Sequence, residues 1–186
     1  MKKIISFAVA LMMLPALCGC IRVEQRQEQP KDQWINVDWS KSYANLRELT
    51  MDSELIVFAT VQNSTPGKES PIPSTLFTMK INTLLWGEPL DATFEIYMTG
   101  GKNADGTLTQ VADDPLMKEG EQYLLFCREN TDGSYTVLGG PQGRFRYREG
   151  KLTAIYQPDK SLTVKQGSDA DTVSAQIIGY LTSPGV

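Results

Sequence analysis

The stretch Gln122-Tyr-Leu-Leu-Phe-Cys-Arg128, the turn Asn130-Thr-Asp-Gly133 and the segment Tyr135-Thr-Val-Leu138 decide the fold class of this 186-residue chain. The first segment has the length and apolar composition of a buried strand. An Asp-Gly turn between two segments of this kind is a strong signal for a β-hairpin. We therefore predict an antiparallel hairpin over residues 122–138.

Further short strands are predicted on both sides of this hairpin. Residues 55–61 form a β-branched, apolar run. Apolar and polar side chains alternate in Phe77-Thr-Met-Lys-Ile81 and in Phe94-Glu-Ile-Tyr-Met98, which is typical of half-buried strands. The remaining predicted strands cover residues 107–111, 144–148 and 152–156. Short strands with turn signals about every ten residues indicate an all-β sandwich or barrel.

A short helix is predicted on each side of the strands. Ser40 or Ser42 is a candidate N-cap for the first helix, and Asp169 or Asp171 is one for the second. The apolar side chains at helical spacing are Tyr43, Leu46, Leu49 and Met51 in the first helix and Val173, Ile177, Ile178 and Leu181 in the second. Because no internal repeat is visible, we predict a single β-rich domain over residues 39–182.

The first twenty residues predict export. Lys2 and Lys3 precede an apolar run over residues 4–17, which is shorter than the roughly 20 residues of a spanning helix. Leu17-Cys-Gly-Cys20 then resembles the lipobox of bacterial lipoproteins, which has an aliphatic residue three positions and a small residue one position before the modified cysteine. The resemblance implies that residues 1–19 are a signal peptide and that Cys20 becomes lipidated. The alternatives are an ordinary signal peptide and an uncleaved anchor.

Residues 20–38 are predicted to be the lipidated cysteine and a polar tether. As a flexible coil, the glutamine-rich residues 21–33 would hold the domain about 20 Å from the lipid.

The lipid places the protein outside the cytoplasm, on the cell membrane of a Gram-positive bacterium. In a Gram-negative bacterium it places the protein on the outer membrane, because Ile21 is not the aspartate associated with inner-membrane retention. Removal of the signal peptide takes away Lys2 and Lys3 and changes the net charge from −4 to −6. Because a negative protein has no electrostatic attraction to nucleic acid, we predict no nucleic-acid partner.

A second resemblance concerns the fold. Five segments in order resemble the netrin/TIMP-like OB-type barrel, a five-stranded closed sheet with a terminal helix. The segments are residues 53–61, 84–87, 100–101, 120–126 and 139–145. The resemblance implies a mainly β fold, an antiparallel OB-like barrel or sandwich of five to seven strands with short flanking N- and C-terminal helices. The chain lacks the disulfides and the free N-terminal cysteine of the animal inhibitors, which argues against protease inhibition by their mechanism.

The composition argues against catalysis. The chain has no histidine, so Ser-His-Asp triads, Cys-His dyads and histidine zinc sites are excluded. Cys127 lies in an apolar run and is predicted to be a buried hydrophobic residue rather than a reactive thiol. The Asn-x-Asp-Gly sequences at 103–106 and 130–133 lack the first and last carboxylates of an EF-hand loop, so we predict turns. We predict no catalytic residue, no metal site and no cofactor.

One strand carries the candidate partner-binding residues. Arg144, Arg146 and Arg148 alternate with Phe145 and Tyr147, which places three guanidinium groups on one strand face. Such a face could bind an anion or an acidic partner. The alternative is an ordinary solvated face.

We predict from these observations a membrane-anchored, extracytoplasmic, non-catalytic lipoprotein that binds a protein or an envelope polymer. The alternative is a small envelope hydrolase that uses a pair of carboxyl groups. Asp113-Asp114 and Glu119 with Glu121 are the candidate acids, although solvated acids beside a strand would have the same pattern. A structural or sensory envelope component is a third option.

Overall fold

The computed structural model describes residues 31–67, 71–89, 91–155, 164 and 166–183. The predicted signal peptide, Cys20 and most of the predicted tether lie outside the described residues, as does Tyr156 in the last predicted strand. None of the helices in the described ranges has both the length and the apolar composition needed to cross a membrane.

The described part of the chain consists mainly of short strands, with one α-helix near each end. In chain order the elements are β1 (Gln33–Ile35), α1 (Leu46–Met51), β2 (Leu55–Pro66), β3 (Ser74–Trp86), β4 (Thr93–Thr99), β5 (Gly101–Lys102), β6 (Leu108–Val111), β7 (Gln122–Glu129), β8 (Tyr135–Val137), a 3-10 turn (Gly140–Gly143), β9 (Arg144–Arg148), β10 (Lys151–Ala154), β11 (Ser168–Asp169) and α2 (Ala170–Thr182).

Five of these strands close into a barrel. β2 pairs antiparallel with β3 and with β7, and β3 pairs antiparallel with β4. β8 closes the ring by pairing antiparallel with β7 and parallel with β4. The side chains that alternate with polar residues in the sequence, such as Phe77, Met79 and Ile96, fill the barrel interior. The predicted mainly β fold is confirmed, and its barrel form is the one observed.

A second apolar core covers the outside of the barrel wall at β2 and β7. β9, β10 and β11 extend the sheet beyond β7, and α1 and α2 contribute apolar side chains to the same core. Along β7, Tyr123, Leu125 and Cys127 face the barrel interior, whereas Leu124 and Phe126 face the second core. β7 is apolar at nearly every position because both of its faces are buried.

The first helix begins later than predicted. Its N-cap is Asn45, whose Oδ1 accepts a hydrogen bond from the backbone N–H of Glu48 at 2.9 Å. A side-chain oxygen at this position satisfies one of the unpaired N–H groups of the first helical turn. The predicted caps, Ser40 and Ser42, are therefore wrong.

The reason for the late start is a contact with the glycine-rich segment, which forms the 3-10 turn Gly140–Gly143. The side chain of Gln142 accepts a hydrogen bond from the backbone N–H of Tyr43 at 2.9 Å and donates one to the Tyr43 carbonyl at 3.2 Å. Both backbone groups of Tyr43 are thereby used outside the helix. Gly140 has φ +56°, and a Cβ there would lie 2.4 Å from the Trp39 ring.

The second helix agrees closely with its prediction. Asp169 is the N-cap, and its Oδ1 accepts a hydrogen bond from the backbone N–H of Thr172 at 3.0 Å. Val173 and Ile177 are buried in the second core, as the helical spacing predicts. Ile178 is 46% exposed and lies away from the buried face.

The N-terminal segment differs from the predicted tether of residues 20–38 at one point. Residues 33–35 form β1, which pairs in parallel with β6 and places Trp34 opposite Gln110. β1, β6 and β5 form a small separate sheet. The domain therefore includes residues that precede its predicted start at residue 39.

Candidate functional site

The structure separates the three arginines of β9 instead of exposing them together. Arg144 is 1% exposed, and its Nη2 donates to Asp114 Oδ1 at 2.5 Å and to the Pro115 carbonyl at 2.6 Å. Its guanidinium carbon lies 5.4 Å from the centre of the Tyr123 ring. A buried side chain cannot belong to a surface patch, so the prediction of a three-arginine partner-binding face requires correction at Arg144.

The register of β9 explains this burial. Arg144 lies opposite Leu125 and Arg146 opposite Tyr123 on β7, and both of these β7 side chains face the barrel interior. The three arginines therefore do share the barrel side of β9, and Asp114 covers the one at the start of the strand. Burial raises the pKa of the Asp114 carboxyl above its ordinary value, against the opposing effect of the Arg144 charge.

The other two arginines become progressively more accessible along the strand. Arg146 Nε lies 3.4 Å from Glu121 Oε1, and Glu121 also accepts a hydrogen bond from the Tyr123 hydroxyl. Burial and this hydrogen bond raise the pKa of Tyr123 to about 12. Arg148 Nε lies 3.5 Å from Glu149 Oε1, but both side chains are 84% exposed, and exposed pairs contribute little to stability. Arg148 is thus the most accessible cation of the three.

Two adjoining concavities lie beside β9, and we call them together the β9 groove. The basic end, of about 440 Å³, is lined by Arg146, Arg148 and Glu121. The aromatic end, of about 360 Å³, is lined by Phe58 on β2, Leu85 on β3 and residues in the first turns of α2. Gln122 and Tyr147 line both ends, so the two concavities adjoin at these residues.

The groove combines an apolar floor with polar groups that lack partners. The rings of Phe58 and Tyr147 meet edge to face with centroids 5.3 Å apart, and both pack against the second core. Within the described ranges, the Gln122 amide, the Tyr147 hydroxyl and the Asp171 carboxylate have no side-chain hydrogen bond or ion pair. An apolar floor bordered by a few convergent polar groups is the usual composition of a ligand site.

Three of the four candidate acids predicted from the sequence have partners within the protein. Asp114 binds Arg144, and Glu121 binds Tyr123 and Arg146. Glu119 accepts hydrogen bonds from the backbone and the hydroxyl of Ser64 at 3.1 Å. Each of these carboxylates has a structural partner.

A different concavity is lined by four carboxylates that were not predicted from the sequence to lie together. It measures about 440 Å³ and is lined by Glu88, Asp91, Glu95 and Glu129, among others. These residues come from the β3–β4 connection, from β4 and from the end of β7. Glu88, Asp91 and Glu95 are close in sequence, whereas Glu129 joins them through the pairing of β8 with both β4 and β7. No local sequence signal indicates that fourth member.

A further concavity of about 470 Å³ lies between the start of β3 and the β7–β8 turn. Ile72, Tyr97 and Asn130 are among its lining residues.

The two Asn-x-Asp-Gly sequences are turns, as predicted. Asp105 accepts a hydrogen bond from the backbone N–H of Thr107 at 2.9 Å, and Asp132 accepts one from the backbone N–H of Ser134 at 3.2 Å.

The prediction that Cys127 is buried is confirmed. Cys127 is fully buried among the side chains of the barrel interior. Burial raises the pKa of its thiol strongly. Across the residues that the structure describes, no cluster of three or more histidine, cysteine or acidic side chains is arranged to hold a metal ion.

Comparison with the models of known protein families gives no match, and comparison with curated protein sequences gives no significant match.

Proposed function

We propose that this protein is a non-catalytic binding module of the bacterial envelope, anchored outside the cytoplasm by a lipid on Cys20. It binds a protein or an envelope polymer in the β9 groove. The observation that supports this proposal is the groove itself, in which an aromatic floor adjoins an accessible arginine and polar groups that have no side-chain partner among the described residues.

The shape of the groove favours an extended ligand. Because Gln122 and Tyr147 line both ends, an extended ligand that passes over these two residues contacts the aromatic floor and the basic end at once. Arg148 at the basic end favours a carboxylate or another anionic group on the ligand. The groove floor is formed by paired strands and a helix, which pre-organises the site before the ligand arrives.

The experiment for this site is photo-crosslinking in the native cell. A photoreactive residue replaces exposed Thr83, which lines the aromatic end of the groove. The matched control places the same residue at exposed Ala112, after β6 and away from the groove. We expect a crosslinked partner from position 83, weakened by Arg148→Ala, and none from position 112. Identical products from both positions, or products unaffected by Arg148→Ala, would contradict the proposed site.

The anchor is tested separately. Replacing Cys20 by alanine removes the acceptor of the lipid, so the variant should move from the membrane fraction to the soluble fraction. Retention of the Cys20→Ala variant in the membrane fraction would refute the anchor.

The acidic concavity favours a second candidate function, a carboxylate-dependent envelope hydrolase. Glycoside hydrolysis needs two carboxyl groups about 5–10 Å apart, and Glu95 and Glu129 line the same concavity. A hydrolase would release reducing ends from envelope polysaccharide, and Glu95→Gln or Glu129→Gln would abolish this release. Absence of release by the unmodified protein would leave only the binding function.

A further inference from the structure

The small sheet at the start of the domain exposes an unusually large apolar side chain. β1 pairs with β6 on one side only, so it is the edge strand of the sheet β1-β6-β5. Trp34 on β1 is 58% exposed, the highest exposed fraction of any large apolar side chain in the described residues. The backbone around it is fixed, because the Ile35 carbonyl accepts a hydrogen bond from the Ala112 N–H at 2.9 Å.

The short separation between Cys20 and Trp34 in the sequence limits the distance of Trp34 from the membrane. Cys20, the proposed lipid attachment site, precedes Gln33 by about 13 residues, which reach at most about 45 Å even when fully extended. Trp34 is therefore confined to a thin layer above the membrane surface. Confinement of this kind makes a weak contact intramolecular and raises its effective concentration into the millimolar range.

We propose that Trp34 inserts into the headgroup region of the membrane that carries the lipid anchor, so that the sheet β1-β6-β5 faces the bilayer. This inference rests on the proposed anchor at Cys20. Indole rings prefer the membrane–water interface, because an apolar body and a polar N–H both find partners there. Trp39 does not share this role, because its ring packs over the backbone of Gly140.

The charges near Trp34 indicate which interaction drives the proposed contact with lipid. The small sheet carries both signs of charge, with Lys102 on β5 and Asp113 just after β6. A lipid contact at this sheet therefore depends on the indole rather than on electrostatic attraction, and added salt leaves it unchanged. The β9 groove is built from β2, β3, β7, β9 and α2, none of which belongs to the small sheet.

The test uses the full-length, lipidated protein in vesicles of bromine-labelled phosphatidylcholine. In a variant with Trp39→Phe and Trp86→Phe, Trp34 is the only tryptophan, and we expect a blue shift and strong quenching of its emission, unchanged by salt. The matched control carries Trp34→Phe and Trp39→Phe. Its Trp86, 47% exposed on β3, should emit without quenching.

Further readouts keep the outcomes distinguishable. Trp34→Ser alone, which keeps the other two indoles, should lose most of the quenching seen with the unmodified protein while it still floats with the vesicles. Unquenched Trp34 emission from protein that floats with the vesicles would overturn this inference and leave the anchor intact. Failure of the protein to float would overturn the anchor and the inference together.

Discussion

The buried pair of Arg144 and Asp114 gives the strongest stability prediction. Each side chain is almost completely removed from water, and no other ion pair in the described residues is buried to this degree. Replacing Asp114 by alanine leaves the guanidinium without a carboxylate, and only the Pro115 carbonyl still accepts from its Nη2. The perturbation therefore removes a counter-ion without restoring water.

The expected magnitude follows from the geometry. With charge centres about 4 Å apart and an effective dielectric constant near 20, the attraction is about 4 kcal/mol. Removal of one partner from a buried pair typically costs about 3–5 kcal/mol, because an uncompensated charge remains inside. For a domain of this size, that loss lowers the melting temperature by roughly 6–20 °C. Arg144→Met, which leaves the Asp114 carboxylate unpaired, should have a comparable effect.

The assay is urea unfolding of both single variants and of the double variant at pH 7. Removing both charges abolishes the unpaired ion, so the double variant should be less destabilised than the two single losses added together. Asp113→Ala, at the exposed neighbouring position, is the matched control and should change stability by less than about 0.5 kcal/mol. A loss below about 1 kcal/mol for Asp114→Ala, or strict additivity in the double variant, would refute the reasoning.

Three further predictions concern single positions. Gly140→Ala should destabilise the protein more than Gly150→Ala does: both glycines have positive φ, but only at position 140 would the new Cβ meet the Trp39 ring. The hydrogen bond from the Tyr43 hydroxyl, followed by the Lys41 contact, lowers the pKa of Asp52, so the folded state binds fewer protons and stability falls on acidification below about pH 5. Asp52→Asn should reduce that slope in urea unfolding measured across this range. Cys127→Ser places a hydroxyl in the barrel interior and should cost about 1–3 kcal/mol in thermal unfolding, more than Cys127→Ala.

Each of these predictions has a result that contradicts it. Equal losses for the two glycine variants would show that the Trp39 contact is easily relieved. An unchanged pH slope for Asp52→Asn would show that its carboxylate has no special partner in the folded state. Serine tolerated as well as alanine at position 127 would show that the hydroxyl finds a hydrogen-bond partner in the barrel.

Local patterns in the sequence were sufficient to predict most of the strands, but not β1, β5 or β11. Alternation in residues 77–81 and 94–98 correctly identified the side chains that fill the barrel, since period two depends only on the strand itself. The choice between barrel and sandwich could not be made locally, because it depends on the pairing of β4 with β8. Turn chemistry was equally reliable, as the Asp-Gly turn between β7 and β8 shows.

The site was less predictable because its environment comes from distant segments. Alternation correctly placed the arginines of β9 on one face, but burial of Arg144 depends on Asp114, which precedes it by thirty positions. The late start of α1 depends in the same way on Gln142, a residue far beyond the helix. Phe58 and Tyr147 meet across β2, β7 and β9, and nothing in either local sequence indicates that they share a groove.

The closure of the barrel also has a kinetic consequence. β2 is made early in the chain, but its second partner, β7, follows only after β3, β4 and the small sheet have been synthesised, and β8 comes later still. A chain that emerges from its N-terminus cannot complete the ring until residues 135–137 are free, and contacts of such high sequence separation fold slowly, on the order of milliseconds to seconds. During that interval the open edges of β2 and β4 are the segments most exposed to wrong pairing.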